Sequence, residues 1–520
     1  MNDQTFEKSY DVVVIGAGNG GLTAATQLAI EGKKVILFEQ HNLPGGFATS
    51  FVRGRFEFEA SLHELCDYGP SSNKGSIRKL FEDDFGLNVD FVEIPEAFRL
   101  IITNPSEGID IVVPFGEDNF IDTIKEEVPG SEESIRNYLA LCNEIINAIA
   151  YITVSEGNPD KKVLINDFKN FLKVTPYTLD QVNNALNIPK KAQDILNAYW
   201  CYIGIPTSRI NFSFYAAMHY YFIIRKAYFP KYRSHAFTAA LETKIRELGG
   251  NVQYNTKVER ILVEEGKVVG LETSKGDKIK TNHVISNASP TLIYNNLIFP
   301  KSEVPKIAYK NVNARHHAIS CFVVYLGLDA SAEDLAISNY SYHIYETANT
   351  EQIYESFKTL NPPKAQATVC LNNIIPDASP DGSCMLCITA FFLPEAWKDV
   401  KAKDYFTLKR RIADNLIETF ENATGSSIKN HIEEIEIATP QTLNRYTGTY
   451  YGSAYGYETD PWDSFMPRLM AMVDEKYIKG LETCGGFSAN CQSYTNTLLS
   501  GQVKAFLTIL ELNKEGANTE

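Results

Sequence analysis

An α/β fold is predicted from three features near the start of the chain: an apolar, β-branched run over residues 10–15, a glycine-rich turn into residues 20–30 of helical composition, and a second apolar run over 35–38. Together they make a β-α-β unit. Gly16, Gly18 and Gly21 fall at the turn, and each has a task there: Gly16 turns the chain tightly, Gly18 lets the backbone approach a pyrophosphate, and Gly21 lets helix pack on strand. The helix start offers unpaired N–H groups and a partial positive charge to phosphates. Ala17, Asn19 and Gly20 complete the loop. Glu39 ends the second run, where a carboxylate accepts hydrogen bonds from ribose hydroxyls, and Gln40 follows it. A Rossmann-like domain for a dinucleotide with an unphosphorylated adenosine ribose is the expectation, with NAD and FAD both open at this point.

The chain has 520 residues, enough for two or three domains, each with a sizeable interior. Hydrophobic residues at 44% and charged residues at 22% describe an ordinary globular protein. A formal net charge of -15 opposes nonspecific nucleic-acid binding, because the field repels phosphates. Nine cysteines, an odd number in so long a chain, fit free thiols in a reducing cytoplasm. Cys384 and Cys387 form a CxxC, but inside the apolar run "CMLCITAFF" they are expected to be core thiols, since zinc needs four ligands. No metal site is expected. The start "MNDQTFEKSY" lacks the apolar stretch of a signal peptide, and no run of apolar residues is long enough to span a bilayer.

The continuation after Glu39 separates the two dinucleotides. "HNLPGGFATSF" places a second glycine pair, Gly45 and Gly46, directly after the acid, followed by Phe47, Ala48 and Thr49 and then "GRFEFEASLHEL". This pattern resembles the amine oxidase-type FAD-binding superfamily, which contains amine oxidases, phytoene desaturases, carotenoid isomerases and retinol saturases. The resemblance implies a discontinuous, glutathione reductase-type FAD domain in which the amides of residues 45–49 approach the pyrophosphate and ribityl chain, with His63 in a loop against the cofactor. Phe47 stands where many members have arginine, which weighs against an amine oxidase proper.

Further segments carry the same resemblance. "LETKIRELGGNVQYNTKVERILVEEGKVVGLETSKGDKIKTNHVISNASP" reads as helix, strand and β-meander, with turns at Glu265-Gly266 and Lys275-Gly276-Asp277. As the second FAD segment it implies adenine contacts from Val258 and a return to the pyrophosphate at Asn287, Ala288 and Ser289. "GLETCGGFSANCQSYTNTLLSGQVKAFLTILEL" resembles the last cofactor motif, implying contacts from Gly485, Gly486 and Thr495 and a helix with a buried face of Leu498, Leu499, Val503, Phe506 and Ile509. Relatives usually have Gly-Asp where Gly485 and Gly486 stand, and Pro-x-Gly-Gly where this chain has Lys231, Tyr232, Arg233 and Ser234. "ATPQTLNRYTGTYYGSAYGYE" matches the spacing of the carotenoid isomerase and retinol saturase branch. The expected organisation is an FAD domain from 1–105, 235–295 and 475–520, a helical cap at 106–234 and a mixed-sheet substrate domain at 296–474.

Residues 199–233 are dense in aromatics and carry Arg209, Arg225, Lys226, Lys231 and Arg233 with no acid, which suits a lipophilic substrate and peripheral membrane contact. By resemblance the protein is a flavoprotein oxidoreductase or isomerase acting on carbon–carbon double bonds of a carotenoid, retinoid, isoprenoid or unsaturated fatty acid. The proton donor candidates are His63 and Tyr494, with Cys491 weaker. His316 and His317, taken to open an apolar strand without nearby acids, are expected to be structural. NAD(P)H is retained as an external reductant, because no second complete GxGxxG supports a resident nicotinamide site. A non-catalytic prenyl- or lipid-binding protein of the same fold and an FAD amine oxidase are the alternatives. Oligomeric state is left open.

Overall fold

The computed structural model describes residues 6, 8–155, 159–464, 467–468, 476–488 and 493–517. Its organising layer is a parallel sheet in the order Asn251–Gln253, Val35–Phe38, Val12–Ile15, Val284–Ser286, Leu481–Thr483. The central strands read VVVI and VILF and are buried along their whole length, as strands covered on both faces must be. Segments far apart in sequence supply the five strands, so the domain closes only when the chain has returned to it twice.

Helices cover one face of this sheet. Asn19–Ile30 packs against Tyr494–Ala517 and Arg233–Glu247. A second sheet, Lys8–Ser9, Lys278–Lys280, Lys267–Thr273, Val258–Glu264, Ile298–Phe299, contains the expected meander, and Glu265 and Gly266 make its tight turn at φ 50° and 71°. A seven-stranded mixed sheet runs Ile432–Ala438, Ser320–Leu328, Cys384–Phe392, Ala365–Cys370, Ser341–Tyr345, Glu96–Ile102, Ile109–Pro114. The last two strands come from the early part of the chain, either side of residue 105. Helices Glu132–Val154 and Phe212–Ile223 lie beside each other over the cavity described below.

Several expectations change in detail. Cys384 and Cys387 lie three residues apart on one strand, so they face opposite sides of the sheet and join different apolar clusters. Phe506 is 44% exposed and does not belong to the buried face of the last helix. That face is instead narrow, with Gly501, Ala505 and Thr508 buried, because a bulkier stripe would hold the helix away from Asn19–Ile30. A Cβ added at Gly501 would sit 2.1 Å from the Gly20 carbonyl oxygen. Lys504, on the same side, is buried through a 2.8 Å ion pair with Glu482. His316 does have acids nearby: its Nδ1 lies 3.2 Å from Asp460, brought in from a distant loop.

The close approach yields a paired test. Gly501→Ala forces two backbones apart and is expected to lower unfolding free energy by about 1–3 kcal/mol. Gly516→Ala, on the same helix with nothing near the added methyl, should leave stability unchanged or raise it by up to ~1 kcal/mol. Thermal denaturation of the two variants checks both signs.

Candidate functional site

The glycine turn is built as a cradle. Gly16 adopts φ +90°, and a Cβ on Gly21 would lie 1.9 Å from the Gly16 carbonyl oxygen, so helix and strand meet at backbone distance. Gly18 precedes the helix without a side-chain cap, leaving the first N–H groups open to a ligand. The Asn287 carboxamide projects among these glycines: an added Cβ would come within 2.4 Å of Nδ2 at Gly18, 2.8 Å of Oδ1 at Gly20 and 2.2 Å of Oδ1 at Gly485. The Asn287 N–H donates to the Ile15 carbonyl at 2.8 Å, which fixes its position at the sheet edge.

Glu39 ties the loop to the next strand. Its Oε2 accepts from the Ala17 N–H at 2.6 Å and its Oε1 from the His41 N–H at 2.8 Å. The carboxylate is therefore oriented before any ligand arrives, with its remaining lone pairs available to ribose hydroxyls. The second glycine pair joins the same cradle: Gly45 donates to the Ala17 carbonyl at 2.7 Å, bridges Gly18 in parallel, and would clash through a Cβ with the Ala48 carbonyl at 2.0 Å. Asn19 lines the space beyond, and its buried Oδ1 has no hydrogen-bond partner among the described residues.

That space is a single cavity of about 1070 Å³. Among the expected cofactor residues, Gly16, Gly18, Asn19, Glu39, Gln40, Gly45, Gly46, Phe47, Thr49, His63, Val258, Asn287, Ala288, Gly486 and Thr495 line it. Ala17, Gly20, Gly21, Ala48 and Gly485 stand behind the wall and shape it through backbone contacts. Tyr446, from the segment resembling the isomerase and saturase branch, closes the Glu39 end with its ring 5.3 Å from that of His41. Gly485 leaves no room for a side chain, whereas among the described residues a Cβ on Gly486 would meet only the Thr497 methyl at 3.9 Å. The missing aspartate therefore leaves open space rather than a repacked wall. Residues 231–234 do not line the cavity. Arg233 is buried at φ +68° with its guanidinium on the carbonyls of Ala378 and Glu57, while Ser234 donates to Glu59 at 2.7 and 2.8 Å.

From the cradle the cavity continues past Ser61, His63 and Glu64 into an apolar chamber walled by Ile146, Met218 and Phe222. His63 Nε2 lies 3.0 Å from the Thr389 hydroxyl, and burial pushes its pKa down to about 4, so at neutral pH it holds no imidazolium proton to give. Tyr494 is spent on structure: its hydroxyl donates to the Phe47 carbonyl at 2.8 Å beside Ser61 at 2.9 Å, and burial pushes its pKa well above the ordinary value. Cys491 lies outside the described residues. The group that sequence reasoning missed is Glu64, next to His63 in "LHEL". It is 7% exposed, receives the Tyr202 hydroxyl at 2.9 Å and the Tyr199 hydroxyl at 3.2 Å, and has its pKa pushed up to about 8 by burial. No local pattern marks it, because both tyrosines come from a turn more than a hundred residues away.

The aromatic residues of the basic segment are mostly buried, whereas of its cations only Arg233 is. Arg209 bridges Glu458 at 3.0 Å and Asp460 at 2.6 Å, Lys226 pairs with Glu93 at 2.5 Å, and Arg233 is buried. Arg209 also offsets the negative charge of the His316, Glu458 and Asp460 group, the one cluster of potential metal ligands among the described residues.

Comparisons with known proteins agree with this geometry. Residues 14–83 match the NAD(P)-binding Rossmann-like domain and residues 177–389 match the flavin containing amine oxidoreductase family. The zebrafish (Danio rerio) all-trans-retinol 13,14-reductase is 26% identical, the match covering 90% of this chain and 80% of that protein. A chloroplastic prolycopene isomerase of Daucus carota is 24% identical over 96% of this chain and 81% of its own. Among solved structures, an oxidoreductase from Methanosarcina mazei superposes with TM-score 0.61 at 16% identity, covering 96% of this chain and 100% of that one. A putrescine oxidase bound to putrescine superposes with TM-score 0.64 at 12% identity, covering 96% and 99%. The resemblance to the phytoene desaturase, carotenoid isomerase and retinol saturase group stands, and with it an FAD-dependent oxidoreductase or isomerase.

Glu39 gives the site's direct test. Glu39→Ala removes the acceptor of two N–H groups, so the ligand-free protein is expected to lose about 1–3 kcal/mol of stability and FAD affinity to fall with it. Thermal denaturation and flavin titration measure the two losses separately.

Proposed function

We propose that this retinol saturase- and carotenoid isomerase-like chain of the amine oxidase-type FAD superfamily acts on a carbon–carbon double bond of a lipophilic polyene, isoprenoid or unsaturated lipid. One observation carries the proposal: the dinucleotide cradle and the apolar chamber form one continuous cavity, so cofactor and lipophile meet without crossing water. Its volume lies at the upper end for a single small-molecule site, which suits a cofactor and substrate together.

The residues present fit FAD. The uncapped start of helix Asn19–Ile30 would hold the pyrophosphate, Glu39 the ribose, and Val258 and Tyr446, which line the cavity near Glu39, the adenine. Bound FAD supplies hydride chemistry at its flavin N5. The chain holds the second glycine pair against the first, orients the loop of Ser61 and His63 along the chamber, and keeps water out with Ile146, Met218 and Phe222. His63, held neutral by burial, orients through Thr389 rather than titrating. Whether the double bond is saturated, formed or rearranged depends on the substrate, and NAD(P)H is the reductant to test first.

The purified protein is expected to show flavin absorption bands. After anaerobic reduction, by light or by NADPH, mixing with a retinoid, a carotenoid and an unsaturated fatty acid should reoxidise the flavin or rearrange at least one of them. Absence of flavin after reconstitution with FAD would leave a non-catalytic lipid-binding protein. Turnover of a polyamine alone would return the chain to the amine oxidases.

A further inference from the structure

We infer that the Tyr455 hydroxyl is the group that reads a neutral oxygen, a hydroxyl or carbonyl, on the lipophilic ligand of the cavity. The inference rests on the proposed lipophile-binding function and narrows its substrate class.

Tyr455 is carried by a loop that hydrogen bonds pin on both sides of it. The Ala454 N–H donates to the Ile319 carbonyl at 3.0 Å, and the Ser320 hydroxyl donates to the Gly452 carbonyl at 2.8 Å. The Gly456 carbonyl receives the Ser453 hydroxyl and the Ala318 N–H, both at 2.9 Å. Gly456 itself packs so closely that an added Cβ would lie 2.2 Å from the Gly486 carbonyl oxygen. Between these anchors the Tyr455 side chain lines the cavity, as does Cys321, whose thiol is within electrostatic reach of it.

The hydroxyl, unlike the loop that carries it, makes no hydrogen bond to the protein among the described residues. Unpartnered hydroxyls that are sealed in the packing occur at Tyr138 and Thr368, but that of Tyr455 keeps accessible surface. Burial nonetheless pushes its pKa well above the ordinary value, so the surface it keeps faces the cavity and not bulk solvent. The other tyrosines of the wall are committed: Tyr202 donates to Glu64 at 2.9 Å, Tyr325 to the Ala60 carbonyl at 2.5 Å and Tyr494 to the Phe47 carbonyl at 2.8 Å. Tyr221 stands where charge is at hand, within reach of Asp67 and Arg225.

A hydroxyl has one proton to donate and lone pairs that accept. With no acceptor in the protein, the Tyr455 proton is available to whatever occupies the cavity, and an alcohol or carbonyl oxygen accepts it. A pure hydrocarbon leaves it unsatisfied, which costs binding free energy in a buried site. An ionised carboxylate fits worse, because the titratable groups within reach are Cys201, Cys321, Tyr202 and Tyr345, and none is a cation.

The test uses FAD-loaded, oxidised protein without reductant, so that binding is read without turnover. All-trans-retinal and the hydrocarbon axerophthene, which lacks its oxygen, are titrated by ligand absorbance. Retinal is expected to bind about 3- to 10-fold more tightly. Tyr455→Phe removes only the hydroxyl oxygen and should level the two, while melting at the wild-type temperature or above, because that hydroxyl has no partner to lose. Tyr221→Phe should keep the preference. From about pH 6 to about pH 9 the wild-type preference should hold, since burial keeps the hydroxyl protonated throughout. Equal wild-type affinities, or binding of neither retinoid, overturn the inference. So does a preference that survives in Tyr455→Phe or is lost in Tyr221→Phe, and so does a lowered melting temperature of Tyr455→Phe, which would make the hydroxyl structural. A preference that fades as the Glu64 carboxyl ionises, its pKa pushed up to about 8, would move the role to Glu64 and also overturn it. If the protein takes up no flavin, the proposed function fails, yet the same titrations on the apoprotein still decide the role of Tyr455.

Discussion

The structure depends on one constraint: around the Asn287 carboxamide, backbone from three remote parts of the chain approaches too closely to admit a side chain. Gly18 and Gly20 from the first turn, and Gly485 from the last strand's exit, all pack on that amide. Gly501 then lets the final helix rest on the first, where the Gly20 carbonyl would meet any added Cβ. Backbone amides exposed by this closeness are what would let the cradle take a phosphate, as proposed above. The discontinuous domain and the proposed cofactor site are thus the same contact seen from two sides.

From the cradle outward, the polarity of the cavity changes in a way that explains its division of labour. Near Glu39 the wall is polar and pre-oriented by backbone hydrogen bonds, so a ribose bound there as proposed would cost little reorganisation. Further on, burial dominates and charge is suppressed: His63 stays neutral and the Glu64 carboxyl keeps its proton. A chamber whose titratable groups are all neutral suits a lipophile, because no desolvated charge opposes its entry.

Legibility in the sequence followed the range of the interaction. The β-α-β unit, the meander and its Glu265-Gly266 turn could be anticipated because glycine spacing and alternation act over a few residues. For Glu39, spacing suggests the proposed ribose contact, but its hold on the Ala17 and His41 amides is a property of the folded loop that spacing does not announce. Phe506 misled because apolar periodicity cannot signal that a helix face must be small rather than greasy. The ion pairs of Arg209 and Lys226 could not be anticipated because their partners, Glu458, Asp460 and Glu93, lie in other segments. Glu64 was invisible for the same reason, since its environment is made by Tyr199 and Tyr202.

The central claim is that the cradle holds a two-ended dinucleotide, with Glu39 at the adenosine end and the flavin facing the chamber. Equilibrium titration of the apoprotein with FAD, FMN and NADH tests it most directly. FAD should saturate at one per chain and bind ~100-fold or more tightly than FMN, a difference of about 2.7 kcal/mol, because FMN lacks the adenosine that reaches Glu39, and NADH should not displace it. Equal affinity for FMN and FAD, or displacement of FAD by NADH, would contradict the account.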